Sequence, residues 1–451
     1  ERCRRETEQS QEQPGEQDIR MHVTNYIWSD EKVSTPDDWI AASAERRAEF
    51  VGQFAFSGED AAGRTVLARD RLGVNKLFFT LEGGRVRRSN FLIELVREGV
   101  NLADIWSVPS GHAVYVGPGA SDYVLQKHIG LEYPPAVDDD VDRHAVRVRR
   151  ALEKTFEYIA SSVGDNPVVV TMSGGLDSTT IAALAREYLS NVEGVTFSLT
   201  KDGDEADSED AIFAKRVGGD LGIPVRTIRA TTSEILDLVD DVLVYGQDYR
   251  DFNVHCGLVN AVIAAELAGK DSPVSDSASA RPPVVLTGDT MNELMADYSA
   301  VTLDNRTYYE LPKMNKGLLR RFLVGGLDSG DREVGIFARH GLDVIQPYAL
   351  CAEVYAALPG WLVEADDAKQ RFVERVMGDR VPAYIYNRPK VRAQAGDAEA
   401  GQGILGAFRQ ADIGQEELLA RFAELLNSTV EEAGRLIKAG FYRFTETRPG
   451  R

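Results

Sequence analysis

Cysteine is scarce in this sequence: Cys3, Cys256 and Cys351 are the only three in 451 residues. Thiols so widely spread form neither a disulfide framework nor a metal knuckle, which points to a reducing compartment. No apolar run approaches the ~20 residues that span a bilayer. The first residues, ERCRRETEQSQEQPGEQ, lack the apolar centre of a signal peptide. Positive charge is in deficit as well. Lys and Arg number 51 against 71 Asp and Glu, a formal charge of −20, so phosphate backbones and anionic membranes are poor default partners. The six histidines, His22, His112, His128, His144, His255 and His340, show no HExxH or similar spacing, and no zinc is expected. No GxxxxGK[ST] occurs either, which weakens kinase and P-loop ATPase readings. These absences leave a cytoplasmic protein that handles small molecules, not nucleic acid or membrane, with self-association open.

What is present is ordinary globular composition, 43% hydrophobic and 27% charged. At roughly 150 residues per domain, the length predicts two or three domains. Residues 1–20 are polar and read as a disordered tail. From residue 21 to about 140 the apolar runs are short and separated by turn residues. Phe54–Phe56, Thr65–Ala68, Lys76–Phe79 and Gly111–Gly119 read as strands, and only Phe91–Val96 as a helix. The acidic stretch Glu132–Asp142 reads as a linker. From 141 to 451 the texture changes. Ala145–Ala160 is an amphipathic helix, followed by the wholly apolar strand Pro167–Thr171, of the kind buried on both faces of a parallel sheet. Helices over Thr179–Leu189, Glu209–Leu221, Ser233–Val244 and Leu258–Leu267 alternate with strands Gly194–Leu199, Val225–Ile228 and Val284–Thr287. That alternation predicts an α/β domain with a parallel sheet. Asp271–Arg281 reads as a polar surface loop, and the rest, from about Asn292 to Phe444, as mostly helical.

The chemistry concentrates where Val168-Val169-Val170 runs into Ser173-Gly174-Gly175-Leu176-Asp177-Ser178-Thr179 and a helix opens. Two glycines let backbone N–H groups turn toward an anion. The helix N-terminus adds orphan donors and partial positive charge. Ser173 and Ser178 bring hydroxyls. Asp177 makes sense there as a Mg²⁺ ligand bridging to phosphate oxygens.

SGGLDS after a hydrophobic strand resembles the PP-loop of the N-type ATP pyrophosphatases. Further strings narrow the resemblance to the asparagine synthetase family, with its β-lactam and carbapenam synthetase branch. Thr196–Leu199 resembles the strand lining the adenine site, and Leu286–Leu294 (LTGDTMNEL) the "SGxGADEL" loop. Gly52–Phe56, Ala68–Val74 and Pro109–His112 resemble the core of the family's glutaminase domain. Leu342–Tyr348 resembles "LExRxPF", and Asn387-Arg388-Pro389-Lys390 the "NRPK" of β-lactam synthetase. The resemblance implies a C-terminal PP-loop ATP pyrophosphatase domain (adenine nucleotide alpha hydrolase-like) behind a β-rich, Ntn-type glutaminase-like domain. It also implies adenylation of a carboxylate by ATP, release of pyrophosphate, and attack by an amine. ATP would then contact Thr171, Met172, Ser173, Gly174, Gly175, Leu176, Asp177, Ser178, Phe197, Ser198, Leu199, Gly288 and Lys369. Mg²⁺ would be held by Asp177, Asn292 and Glu293.

The departures from the family decide which branch is favoured. Glutamine hydrolysis needs an N-terminal nucleophilic cysteine and a glutamine-binding loop. Cys3 lies in a polar tail, and the loop is missing, so the N-terminal domain reads as degenerate scaffold. Lys390 falls on the lysine assigned to pyrophosphate and transition-state charge, where a fixed ammonium can contribute ~3–4 kcal/mol. Asp289 falls where the lactam enzymes place a tyrosine, and Asp331 on its glutamate partner. They are the expected amine-deprotonating pair, since two carboxylates sharing a site raise one pKa. Asn292 replaces the second metal aspartate and removes a charge, which Asp289 or Glu293 would make up. His255 and Cys256 read as packing residues. The expected activity is an ATP- and Mg²⁺-dependent, AMP-forming ligase closing an intramolecular amide in antibiotic-type biosynthesis. An intermolecular ligase using ammonia, a small amine or a peptide amine stays open, as does a non-catalytic nucleotide-binding relative.

Overall fold

The computed structural model describes residues 23–133, 140–200, 206–269, 281–297, 301–303, 306–308, 315, 317, 333–364, 367–389 and 403–438. The polar tail, most of the 271–281 loop and the centre of the 132–142 linker lie outside the described residues, as do Asp331 and Lys390.

The N-terminal half is built from antiparallel strands. They are β1 (Tyr26–Ser29), β2 (Lys32–Ser34), β3 (Val51–Gln53), β4 (Ala55–Glu59), β5 (Thr65–Arg69), β6 (Phe78–Glu82), β7 (Arg85–Ser89), β8 (Trp106–Ser107), β9 (His112–Val116) and β10 (Val124–Lys127). They pair as β2-β1-β3, β10-β9-β5-β4 and β7-β6-β8. The central four-stranded sheet is covered on both faces, which the period-two geometry of a strand makes visible. Phe56, Val66, Ala68, Ala113 and Tyr115 face one core with Trp39 and Phe54. Ala55, Leu67, Val114 and Val116 face the other with Leu77, Phe79 and Val108. Two short helices that the apolar pattern did not suggest, Pro36–Ala41 and Ala44–Arg47, precede this sheet. The signal for the first was there: Thr35 caps it in a reciprocal box with Asp38, and Pro36 opens it.

The C-terminal half starts with α1 (Val141–Val163), capped by Asp140, whose side chain accepts from the N–H groups of Asp142 and Arg143. Ala145, Val148, Leu152, Phe156, Ile159 and Val163 are buried in it, the three-and-four spacing of a core-facing stripe. Then come β11 (Val168–Thr171), α2 (Leu176–Tyr188), β12 (Val192–Thr200), α3 (Glu209–Leu221), β13 (Val225–Thr231), α4 (Asp251–Ala268) and β14 (Val284–Leu286). Further on lie α5 (Met291–Met295), a hairpin of β15 (Val301–Leu303) and β16 (Arg306–Tyr308), and β17 (Asp343–Ile345). The predicted helix over 233–244 is two helices, Thr232–Asp237 and Val239–Gly246. β17 was not expected in a region read as helical. It is three residues long and becomes a strand only by pairing with β14.

The five-stranded sheet is parallel throughout, in the order β13-β12-β11-β14-β17. Counted along the chain this is 3-2-1-4-5, so the connections diverge between β11 and β14. In open parallel sheets that divergence leaves a crevice at the carboxyl ends of the two strands. Two later helices close the crevice, α6 (Ala368–Met377) and α7 (Ala383–Tyr386). α6 is fastened to α1 by Arg149, whose guanidinium donates to the carbonyls of Val376 and Arg375 at 2.5 and 2.7 Å. Among the described residues no helix is long and apolar enough to cross a membrane.

Candidate functional site

The loop after β11 turns through Gly174, at φ +65. A Cβ there would lie 2.6 Å from Phe213 Cβ and 2.7 Å from Ala214 N on α3, so only glycine fits. α2 starts at Leu176, three residues before the expected Thr179, which puts Asp177 and Ser178 in its first turn. Gly175 is the N-cap and supplies no side-chain acceptor, leaving the terminal N–H groups open to an external anion. Ser178 Oγ braces the turn, accepting from Ser173 N at 3.2 Å and donating to Gly175 O at 3.3 Å. The loop after β14 sits directly against this helix start: a Cβ on Gly288 would be 2.8 Å from Ser178 N. Tyr348 Oη closes the other side, donating to Asp177 O at 3.2 Å.

Lys369, in the first turn of α6, is buried and reaches into this crevice. Its Nζ donates to Asp177 Oδ2 at 2.6 Å, Asn292 Oδ1 at 2.8 Å and Asp297 Oδ2 at 2.9 Å. Burial alone would lower its pKa, but the charges of Asp177 and Asp297 outweigh that and hold it above the usual lysine value. The other Asp177 oxygen, Oδ1, is buried with no hydrogen-bond partner. Arg388 closes the crevice from the C-terminal side. Its guanidinium donates to Ser173 O at 2.9 Å and Asp210 Oδ1 at 2.7 Å, and lies 4.1 Å from the Phe213 ring centroid. Burial pushes the Asp210 carboxyl up to about 6, against the hydrogen bond and charge of Arg388. Between these groups is a cavity of about 100 Å³, lined among others by Ser173, Gly175, Asp177, Asp297, Lys369 and Arg388.

Of the predicted site residues, the structure therefore brings together Ser173 to Ser178, Gly288, Asn292 and Lys369. Thr171 and Met172 lead into the loop, with Thr171 Oγ1 3.4 Å from Leu286 O. Phe197, Ser198 and Leu199 lie toward the carboxyl end of β12. The Ser198 hydroxyl there accepts from Ser208 N at 2.8 Å and so pins the start of α3. Asp289 is half-buried in the turn between β14 and α5. Its expected partner Asp331 lies outside the described residues, as does Lys390, although Pro389 beside it lines the cavity. Besides Asp177, the carboxylate on Lys369 beside Asn292 is that of Asp297. Asp297, Arg388 and Asp210 escaped the sequence reading. Arg388 stood inside the quoted NRPK string, but its partner is 178 residues away. His255 is a packing residue, 4.4 Å from Phe408 between ring centroids, and burial pushes its pKa down to about 3.

Among the described residues no group of three or more His, Cys, Asp or Glu side chains is placed to hold a metal ion. Magnesium asks for less, one or two carboxylates plus phosphate oxygens and water. The orphaned Asp177 Oδ1 fits that demand, whereas Asp177 Oδ2, Asn292 Oδ1 and Asp297 Oδ2 are taken by Lys369.

Residues 147–332 match the asparagine synthase family model, a stretch that takes in most of α1 and the strands β11 to β14. No curated protein matches the chain. Glutamine-dependent NAD+ synthetase from Acinetobacter baumannii, solved in complex with adenosine diphosphate, is similar at 16% identity and a TM-score of 0.29, over 74% of this chain. The similarity spans 48% of that synthetase, about half its length. NMN synthetase from Francisella tularensis is similar at 13% identity and a TM-score of 0.30, over 70% of this chain and 100% of its own.

Proposed function

We propose that this chain is an ATP-dependent carbon–nitrogen ligase that activates a carboxylate as its adenylate and closes an intramolecular amide, in the manner of the β-lactam synthetases. The observation that carries it is the arrangement at the crevice: an uncapped helix N-terminus behind a glycine turn, with the Lys369 ammonium beside Asp177. A site with that balance suits a polyphosphate that arrives with a divalent cation. The asparagine synthase match over 147–332 supports an ATP-using amidation.

In this reading the backbone N–H groups of Gly174 and Leu176 and the Ser173 hydroxyl hold the β- and γ-phosphates, while Ser178 braces the turn behind them. The substrate carboxylate attacks the α-phosphorus, and pyrophosphate leaves toward the Lys369 ammonium, which exchanges one of its three hydrogen bonds to Asp177, Asn292 and Asp297 for it. Asp177, through its open Oδ1, would hold magnesium together with phosphate oxygens and water, and the ion would supply charge neutralisation on the phosphate oxygens when bound. An amine then attacks the acyl carbonyl and AMP departs. Asp289, with Asp331, takes the amine proton, and Lys390 offsets the oxyanion of the tetrahedral intermediate. Arg388 keeps Ser173 in place. The N-terminal domain, read as a degenerate Ntn-type glutaminase fold, serves as scaffold.

An ATP–pyrophosphate exchange screen over amino-acid carboxylates tests the reading. AMP and pyrophosphate formed from one organic substrate without added amine support cyclisation. Turnover only with ammonia or an added amine moves the assignment to an intermolecular ligase, and no exchange with any carboxylate points to a non-catalytic nucleotide-binding relative.

A further inference from the structure

Gln346 follows the edge strand β17 and is 4% exposed, yet the proposed chemistry does not use it. Its polar groups are committed on three sides. Its backbone N–H donates to Gln53 Oε1 at 3.1 Å, its side-chain Oε1 accepts from Thr290 Oγ1 at 3.0 Å, and its Nε2 donates to Glu333 Oε2 at 3.1 Å. Gln53 belongs to the N-terminal half, and its Nε2 donates to Val344 O at 2.8 Å and Asn75 Oδ1 at 3.1 Å. A chain of buried hydrogen bonds thus runs from the N-terminal sheets, through Gln346, to Thr290.

Thr290 needs such support. It is β-branched and sits at φ +78, ψ −22, a left-handed conformation that such residues rarely adopt. It opens α5, whose Asn292 bonds Lys369. At the far end Ala296 is again left-handed, at φ +54, and leads straight to Asp297. Two of the three oxygens around the Lys369 ammonium therefore hang from one short turn bracketed by two strained residues.

We infer that Gln346 is a positioning residue for the phosphate site. Through Thr290 it fixes α5 in the geometry that presents Asn292 and Asp297 to Lys369, and the N-terminal domain serves the site by fixing Gln346. This rests on the reading of the crevice as the pyrophosphate site. An apolar residue at 346 would fill the same space but remove the acceptor for the buried Thr290 hydroxyl.

Hydrogen exchange on the full ligand-free chain reads the inference without any nucleotide. The amides of Leu294 and Asp297, which donate to Thr290 O and Asn292 O, should exchange about tenfold faster in Gln346→Leu, with the β11 amides unchanged. Equal rates in variant and parent overturn the inference. Calorimetric titration with magnesium pyrophosphate adds a functional readout: Gln346→Leu should bind about tenfold more weakly. Thr290→Val should reproduce that loss without adding to it in the double variant, and it serves alone if Gln346→Leu does not fold. Pairing Gln346→Glu with Glu333→Gln exchanges amide for carboxylate, keeps both hydrogen bonds, and should restore binding. Unchanged affinity in the single variants, additive losses in the double, or failure of the exchange pair to restore binding overturns the positioning role. If the parent chain binds no magnesium pyrophosphate, the ligase reading falls, and the exchange rates still decide for Gln346.

Discussion

Asp70 and Asp177 each follow a strand closely and turn a carboxylate inward, but their surroundings differ. Asp70, in the N-terminal half, accepts from the backbone N–H groups of Phe54, Leu72, Val74 and Asn75 at 3.1 to 3.3 Å. Its neighbour Arg69 is spread over the carbonyls of Asn75, Val108 and Gly73. Burial drives the Asp70 pKa up, countered by Arg69 and those N–H groups. Asp177 has one oxygen on Lys369 and the other buried without a partner. A saturated carboxylate has no valence left for a ligand, so it holds a fold. An unsaturated one has a stabilising role still to fill. The ARDRLG string of the N-terminal half therefore acts here as structure, and the SGGLDS string carries the open carboxylate of the proposed site.

The contrast can be broken most sharply at Asp177. Asp177→Ala should slow pyrophosphate exchange about a thousandfold, about 4 kcal/mol of transition-state stabilisation, while thermal melting falls less, because Asp297 still pairs with Lys369. Asp70→Asn should do the reverse. It turns an NH₂ group toward backbone donors and should cost about 3 kcal/mol of stability in denaturant titration, with exchange per folded molecule unchanged.

Acid should act on the closed cluster in a similar range. His128 Nε2 lies 2.9 Å from Arg69 O, and burial lowers the His128 pKa from 6.5 to about 4. The unfolded chain takes up that proton below pH 6.5 and the folded chain does not. Stability is therefore flat above pH 6.5 and falls as the pH drops toward 4, by about 3 kcal/mol for this group. His128→Gln should remove that part of the slope. The smallest effect is expected from Arg388→Lys. It keeps a charge for Asp210 but cannot also reach Ser173 O, and should slow exchange about tenfold with a minor change in stability.

The features read correctly from sequence were those with a local cause. β11 is a short apolar run ending in glycines, and α3 forms over the expected Glu209–Leu221, where the structure shows Ser208 capping it and Gly222 ending it in a left-handed turn. Lys369 enters from sequence only through the family resemblance. The rest depends on partners distant in the chain. Nothing around Asp297 marks it as a neighbour of Lys369, 72 residues on. β17 has no pattern of its own and exists because β14 offers it a ladder. Gln346 reads as an unremarkable position until Thr290 and Gln53 are brought to it.

The docking of Gln53 on β17 has one more consequence. β17 is the last strand of the parallel sheet, and a last strand leaves a row of amides and carbonyls unclaimed. The Gln53 side chain claims two of them, Val344 O and Gln346 N, as a neighbouring backbone would. Thr24 and Tyr26 cover the start of the strand through Asp343. A chain shorn of its N-terminal sheets would present that rim bare, ready to recruit strands from other molecules and aggregate.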